Sequence, residues 1–177
     1  FCVIGKQCGG AEFWPQSFIP GIRTFFCAQG LPGLPKSAAG IRWRAYAESM
    51  GSPCKLVDSG TYVPRHVPFV YFDDMQNAPG GLCAERVVDY SNFVLDLAGG
   101  DYRYMWITPN QISNGHDPAN DPVGALVASD NWLKAEVPRI LASSGWKAGG
   151  ILFITWDEAE GRSGRDPDQI PMIVISP

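Results

Sequence analysis

The sequence predicts an α/β fold, a three-layer sandwich of helices on a sheet, and three observations carry that prediction. Gly149 and Gly150 open a continuous apolar run, Ile151-Leu152-Phe153-Ile154, which is too short for a helix and rich in strand formers. Such a run reads as a strand buried on both faces, as in a parallel sheet covered by helices. From residue 101 onward the order is strand, helix, strand, strand, and apolar strands in that order indicate layered α/β packing. The run at 151–154 then stops on Asp157 and Glu158. In an open α/β sheet ligands bind beyond the carboxyl ends of the strands. Two adjacent carboxylates there suit a hard cation or acid/base work, and a solvated acidic loop start is the alternative.

The composition is that of a globular chain. With 177 residues, 45% hydrophobic and 18% charged, it is long enough for one domain with a sizeable core. The net charge of −4 argues against a nucleic-acid partner, which calls for a basic face. No apolar run approaches membrane-spanning length. The chain starts at Phe1 and stops at Pro177, directly behind the apolar run Met172 to Ile175. Both ends are therefore expected to be cut, giving a partial domain, and the lack of a targeting segment carries no weight.

Taken in order, the elements begin late. Residues 1–38 form an atypical segment rich in Gly, Pro and Cys, with turn chemistry at Pro20-Gly21 and Leu31-Pro32-Gly33 and no sustained period. It fits a disulfide-tied extension or a frame-shifted stretch equally. The regular part spans 39–177. Ile41 to Glu48 alternates and suits a strand. Pro64 to Pro68 is a rigid loop carrying His66, and Phe69-Val70-Tyr71-Phe72 is a short apolar stretch. Val87 to Leu97 has helical spacing through Val88, Phe93, Leu95 and Leu97, and it ends at Gly99-Gly100. Tyr104 to Thr108 is a strand, followed by a polar loop, Pro109 to Pro122, that carries His116. Asp130 reads as a helix N-cap, with Trp132, Leu133, Val137, Ile140 and Leu141 as the apolar face. Pro138 is expected to kink that helix or split off its first turn.

Five cysteines occur and none forms a CxxC pair, so a zinc knuckle or thioredoxin-like motif is not indicated. An odd number leaves at least one unpaired within the chain. Cys54 and Cys83 flank one segment. A bridge between them would contribute about 3–4 kcal/mol and would imply an oxidising compartment.

The only histidines, His66 and His116, lie in loops dense in Pro, Gly, Asn and Asp beside short apolar stretches. A lone loop histidine is usually plain surface. Two imidazoles and two carboxylates on one sheet edge, however, make a phosphoester-hydrolysing site. There metal ions neutralise phosphoryl oxygens, and a histidine acts as acid or binds phosphate.

Seven stretches in order resemble one family: Trp43-Arg44-Ala45-Tyr46-Ala47-Glu48-Ser49-Met50, Arg65-His66-Val67-Pro68-Phe69-Val70-Tyr71-Phe72, Ile107-Thr108-Pro109-Asn110, His116-Asp117, Asp130-Asn131-Trp132-Leu133, Ile154-Thr155-Trp156-Asp157-Glu158 and Pro171 to Pro177. Together they resemble the C-terminal half of the secreted acid phosphatases and phospholipases C of the alkaline phosphatase superfamily. The resemblance covers roughly residues 38–177. It implies an alkaline-phosphatase-like fold, hydrolysis of phosphate esters and a divalent metal ion. Asp157 and Glu158 match the Asp-Glu motif at the metal centre. His66 matches a histidine near the phosphate, and His116 matches the histidine of the Asn-rich loop, so both are candidates for catalysis and substrate binding. The implied partners are a phosphate-ester small molecule or a phospholipid head group. The implied location is secreted or periplasmic, in keeping with a Cys54–Cys83 bridge.

The departures bear on mechanism. Relatives carry, upstream, a Glu-Asn metal motif and a Ser or Thr nucleophile followed by x-Pro-Asn. Neither occurs here; the nearest echo, Gly33-Leu34-Pro35-Lys36, lacks the hydroxyl. Ile112 and Pro118 stand where relatives often place two cysteines. The expectation is that the intact protein hydrolyses phosphate esters and that these 177 residues alone do so poorly or not at all. Phospholipase C activity is the runner-up. A non-catalytic binding module presenting Trp and Tyr, or a degenerate remnant, is the competing class.

Overall fold

The computed structural model describes residues 42–77, 80–116, 121–157 and 170–177. The atypical 1–38 segment and Glu158 lie outside the described residues.

Strand β1, Trp43–Ala47, is the centre of the fold. It is followed by two 3-10 turns, Pro64–His66 and Pro68–Tyr71, and by the short helices α1, Asp73–Gln76, and α2, Leu82–Arg86. Strand β2, Val87–Asp89, comes next, then a 3-10 turn, Tyr90–Asn92, helix α3, Phe93–Gly99, and strand β3, Tyr104–Thr108. Helix α4, Pro122–Leu141, and the single turn α5, Ser144–Lys147, precede β4, Leu152–Thr155, and β5, Met172–Ile175. The fold is α/β. One sheet is parallel, in the order β2-β1-β3, and β4 and β5 pair antiparallel in a second sheet.

Alternation along β1 sends its side chains to two cores. Trp43, Ala45 and Ala47 face the segment between β1 and β2 and pack with Tyr62, Val67, Phe69, Val70, Met75 and Trp106. Tyr46 packs on the other face with Val88, Phe93 and Ile107, and Trp132 and Ile140 of α4 close over them. The parallel sheet is thus covered on both sides, which is why its strands are mostly apolar. A Cys54–Cys83 disulfide, with a Cα–Cα distance of 5.5 Å, ties the two ends of the segment that packs on the first face.

Four expectations need correction. Val87–Leu97 is not one helix. Its first three residues form β2, because the β-branched Val87 and Val88 fill the open edge of β1, and the helical period is realised only from Phe93. Helix α4 begins at Pro122 with Asp121 as its cap, so Asp130 lies inside it, paired with Lys134 one turn on. The helix also continues through Pro138 to Leu141 rather than splitting there. Finally, β4 is not a strand of the parallel sheet. Leu152 and Phe153 are half-buried, and Met172, Ile173 and Val174 of its partner face solvent.

Candidate functional site

Register fixes the functional edge. In the parallel sheet Ala47 stands level with Asp89 on one side and with Thr108 on the other. The carboxyl ends of all three strands therefore finish together, and the residues that follow them share one edge. The Glu48 amide donates to the Thr108 carbonyl at 3.0 Å and carries the ladder one step further.

A shallow surface depression lies there, lined by Glu48, Thr61, Tyr62, His66, Thr108 and Asn110 among others. His66 reaches it from the 3-10 turn Pro64–His66, which is closed by a bond from the His66 amide to the Val63 carbonyl. Proline at 64 presets the turn, and buried Val63 and Val67 on either side hold it against the core. His66 is half-buried.

A polar lattice holds the far wall. One Glu48 carboxylate oxygen accepts the Asn110 amide at 3.0 Å. The Asn110 side chain donates to Ser49 Oγ at 2.9 Å and accepts the amides of Ile112 and Ser113 at 2.9 and 3.3 Å. The Gln111 amide donates to the Thr61 carbonyl at 3.0 Å and so joins this loop to the segment that carries His66. Ser49 itself has φ 64, a left-handed conformation that few non-glycine residues adopt. Its neighbour at the β2 end, Asp89, accepts the amides of Gly51 and Ser91 at 2.8 and 2.9 Å.

The same loop leads to His116. Its amide donates to Asn114 Oδ1 at 2.9 Å, and its side chain is exposed. Gly115, at φ +85, lies so close to Trp156 that a Cβ there would meet the indole nitrogen at 3.2 Å. That approach brings the His116 loop against the chain leaving β4, where Asp157 stands exposed. The fold thus places His66 with Glu48 and Asn110 in one depression, and it sets His116 and Asp157 each beside one contact, Gly115 on Trp156.

Tyr62 lines this region, while Tyr46 and Tyr90 belong to the second core, and all three are pushed above the usual phenol range. Burial is the main cause for each. A bond to Glu136 adds to it at Tyr90, a bond to Asp96 at Tyr46, and neighbouring Tyr71 and Asp58 at Tyr62. They stay protonated at neutral pH and donate hydrogen bonds.

The donor set present does not by itself make a metal centre. Asp157 is one carboxylate, and among the described residues no three His, Cys, Asp or Glu side chains gather where an ion would sit. Sequence reasoning gave no role to Glu48 and Asn110. Both stand as polar residues where strands end, but their meeting depends on the β1–β3 register. Among the described residues no helix is long and apolar enough to cross a membrane.

No known family model matches the chain. The chain is similar to an acid phosphatase of Aspergillus niger, with 26% identity over 125 residues, covering 67% of this chain and 28% of that protein. It is similar to a phosphate-repressible acid phosphatase of Penicillium chrysogenum, with 23% identity over 127 residues, 68% of this chain and 29% of that protein. A probable acid phosphatase of Kluyveromyces lactis matches at 25% identity over 130 residues, again 68% of this chain and 29% of the relative. The matched region therefore spans less than a third of the length of these curated relatives, and all three carry the name acid phosphatase.

Proposed function

We propose that this chain is part of a phosphate-ester hydrolase of the acid phosphatase type. The carrying observation is the shared carboxyl edge of β1, β2 and β3, where His66 shares a depression with Asn110 and the loop of His116 meets the chain bearing Asp157. Similarity to three proteins named acid phosphatase points to the same chemistry.

In this reading His66 and His116 hold the phosphoryl oxygens, and one of them gives its proton to the departing alcohol as the P–O ester bond breaks. The attacking hydroxyl belongs to a part of the protein outside the region matched to the relatives. Water then releases phosphate from that oxygen. Asp157 and Glu158 would hold a divalent cation, which would supply charge neutralisation at the phosphoryl group. The Cys54–Cys83 bridge suits a secreted or periplasmic setting. Simple phosphomonoesters are the preferred substrate class, with phospholipid head groups second. A glycan-binding surface is disfavoured, because Trp43 and Trp106 are buried.

The test is hydrolysis of an aryl phosphate, and of phosphatidylcholine in parallel, by this chain and by a longer form that restores the upstream region. Each is assayed with and without chelator and beside Asp157→Asn. The longer form is expected to turn over aryl phosphate, to lose at least about 100-fold with chelator or Asp157→Asn, and to exceed this chain by a similar factor. Ordinary turnover by this chain alone would overturn the assignment of the nucleophile. No hydrolysis and no binding of inorganic phosphate by either form would overturn the function.

A further inference from the structure

We propose that Glu48 is a positioning residue of this site, acting through the reach of its carboxylate to the Asn110 amide rather than through its charge. The proposal rests on the phosphohydrolase reading for its consequence, though not for its geometry. Glu48 is the first residue beyond β1 and is half-buried in the depression with His66. One carboxylate oxygen accepts the Asn110 amide at 3.0 Å, in the turn where the chain leaves β3. From that turn the bonds run onward in one direction. Asn110 Oδ1 takes the Ile112 and Ser113 amides, and Asn114 Oδ1 takes the His116 amide. Gln111 fastens the same turn to Thr61, five residues before His66. The loop has no strand or helix of its own between Thr108 and Pro122 among the described residues, so its path is set by side-chain acceptors together with the carbonyls of Thr61 and Asn110. Glu48 is the side-chain acceptor at the end of β1 that takes a backbone amide of the loop, with Ser49 Oγ beside it taking the Asn110 side chain. It therefore references both histidine-bearing segments to β1.

Functional groups displaced by about 1 Å lose on the order of 100-fold in rate, so a tether of this kind matters without touching substrate.

Two near-isosteric variants separate reach from charge. Glu48→Gln keeps an oxygen at the same distance and removes the charge. Glu48→Asp keeps the charge and withdraws it by one methylene. Each is made in this chain. Amide hydrogen exchange is measured at 110–116, and inorganic phosphate is titrated while the two histidine ring signals are followed by NMR. Glu48→Asp is expected to speed exchange at Asn110, Ser113 and His116 about tenfold and to weaken phosphate binding about tenfold. Exchange in β3 should stay unchanged. Glu48→Gln is expected to stay within about threefold of the parent in both, because its oxygen still accepts the Asn110 amide. The reverse order, with Gln impaired and Asp intact, would overturn the proposal in favour of a direct charge effect. Unchanged loop exchange in Glu48→Asp would overturn the tether. If this chain binds no phosphate, the exchange data still decide the tether, and the titration is repeated in the longer form, where absence of binding overturns the functional reading.

Discussion

Asp96 of α3 gathers two groups from β1 on one oxygen: Arg44 Nη1 at 2.7 Å and the Tyr46 hydroxyl at 2.9 Å. Tyr46 is wholly buried, and the ring of Tyr102 lies against the Arg44 guanidinium at 4.6 Å. Tyr46→Phe keeps the ring packing against Phe93 and removes one hydrogen bond, while Asp96 retains Arg44. A loss of about 1 kcal/mol in urea unfolding is expected. At the end of β2, Asp89 behaves differently from an exposed carboxylate. Burial alone would raise its pKa, but the amides of Gly51, Ser91 and Met50 and the Ser91 hydroxyl outweigh it and hold the value below the usual 3.8. The folded state therefore binds this proton less readily than the unfolded chain. The resulting stability is present above about pH 4 and fades as pH falls through the lower folded value. Urea midpoints measured from pH 6 downward should drop in that acid range, and Asp89→Asn should flatten the drop.

At the scale of elements, local chemistry decided some outcomes and pairing decided others. β1 was legible from its alternation and β3 from its short apolar run. β2 was not, since its three residues satisfy a helical period as well as a strand, and only the vacant edge of β1 selects the strand. The start of α4 was legible in principle. Asp121 precedes Pro122, a cap followed by proline at the first helical position, and Asp130 drew attention because it stands nearer the apolar face. The Asp121 carboxylate accepts the Gly124 amide at 2.9 Å, and a Cβ on Gly124 would fall 2.2 Å from it. Asp121→Ala should therefore cost about 1 kcal/mol by removing the cap. In Gly124→Ala the helix propensity gained, about 1 kcal/mol, offsets the displaced cap, so that variant should stay close to the parent. Thermal unfolding of the two single variants would check this.

For the whole molecule, the candidate site was legible as a set of residue types and not as a constellation. His66, His116 and Asp157 stand out in sequence because each follows or precedes an apolar stretch. Which of them meet is set by strand register and by the Gly115–Trp156 approach, neither of which leaves a mark in composition. The β4–β5 arrangement was misread for the same reason, since an apolar run of four residues does not announce its partner or its direction. The Cys54–Cys83 bridge was legible as a conditional pairing, since the two cysteines flank one segment. It closes a segment of 29 residues that supplies much of the first core, so Cys54→Ser with Cys83→Ser should lower stability by about 3 kcal/mol or more in urea unfolding.

The central position of β1 also governs how the chain finds its fold. Ala45 pairs with Val87 on one side and with Trp106 on the other, and β1 has no partner close to it in sequence. Every rung of the parallel ladder therefore waits for a distant segment to return, which raises the entropic barrier and slows folding relative to chains of hairpins or helices. Once Cys54 and Cys83 are joined, the route from Ala47 to Val87 no longer has to pass through the whole intervening loop. A chain that oxidises early would thus reach its first ladder faster, and during biogenesis the order of oxidation and collapse would set how long its apolar strands stay open to other molecules.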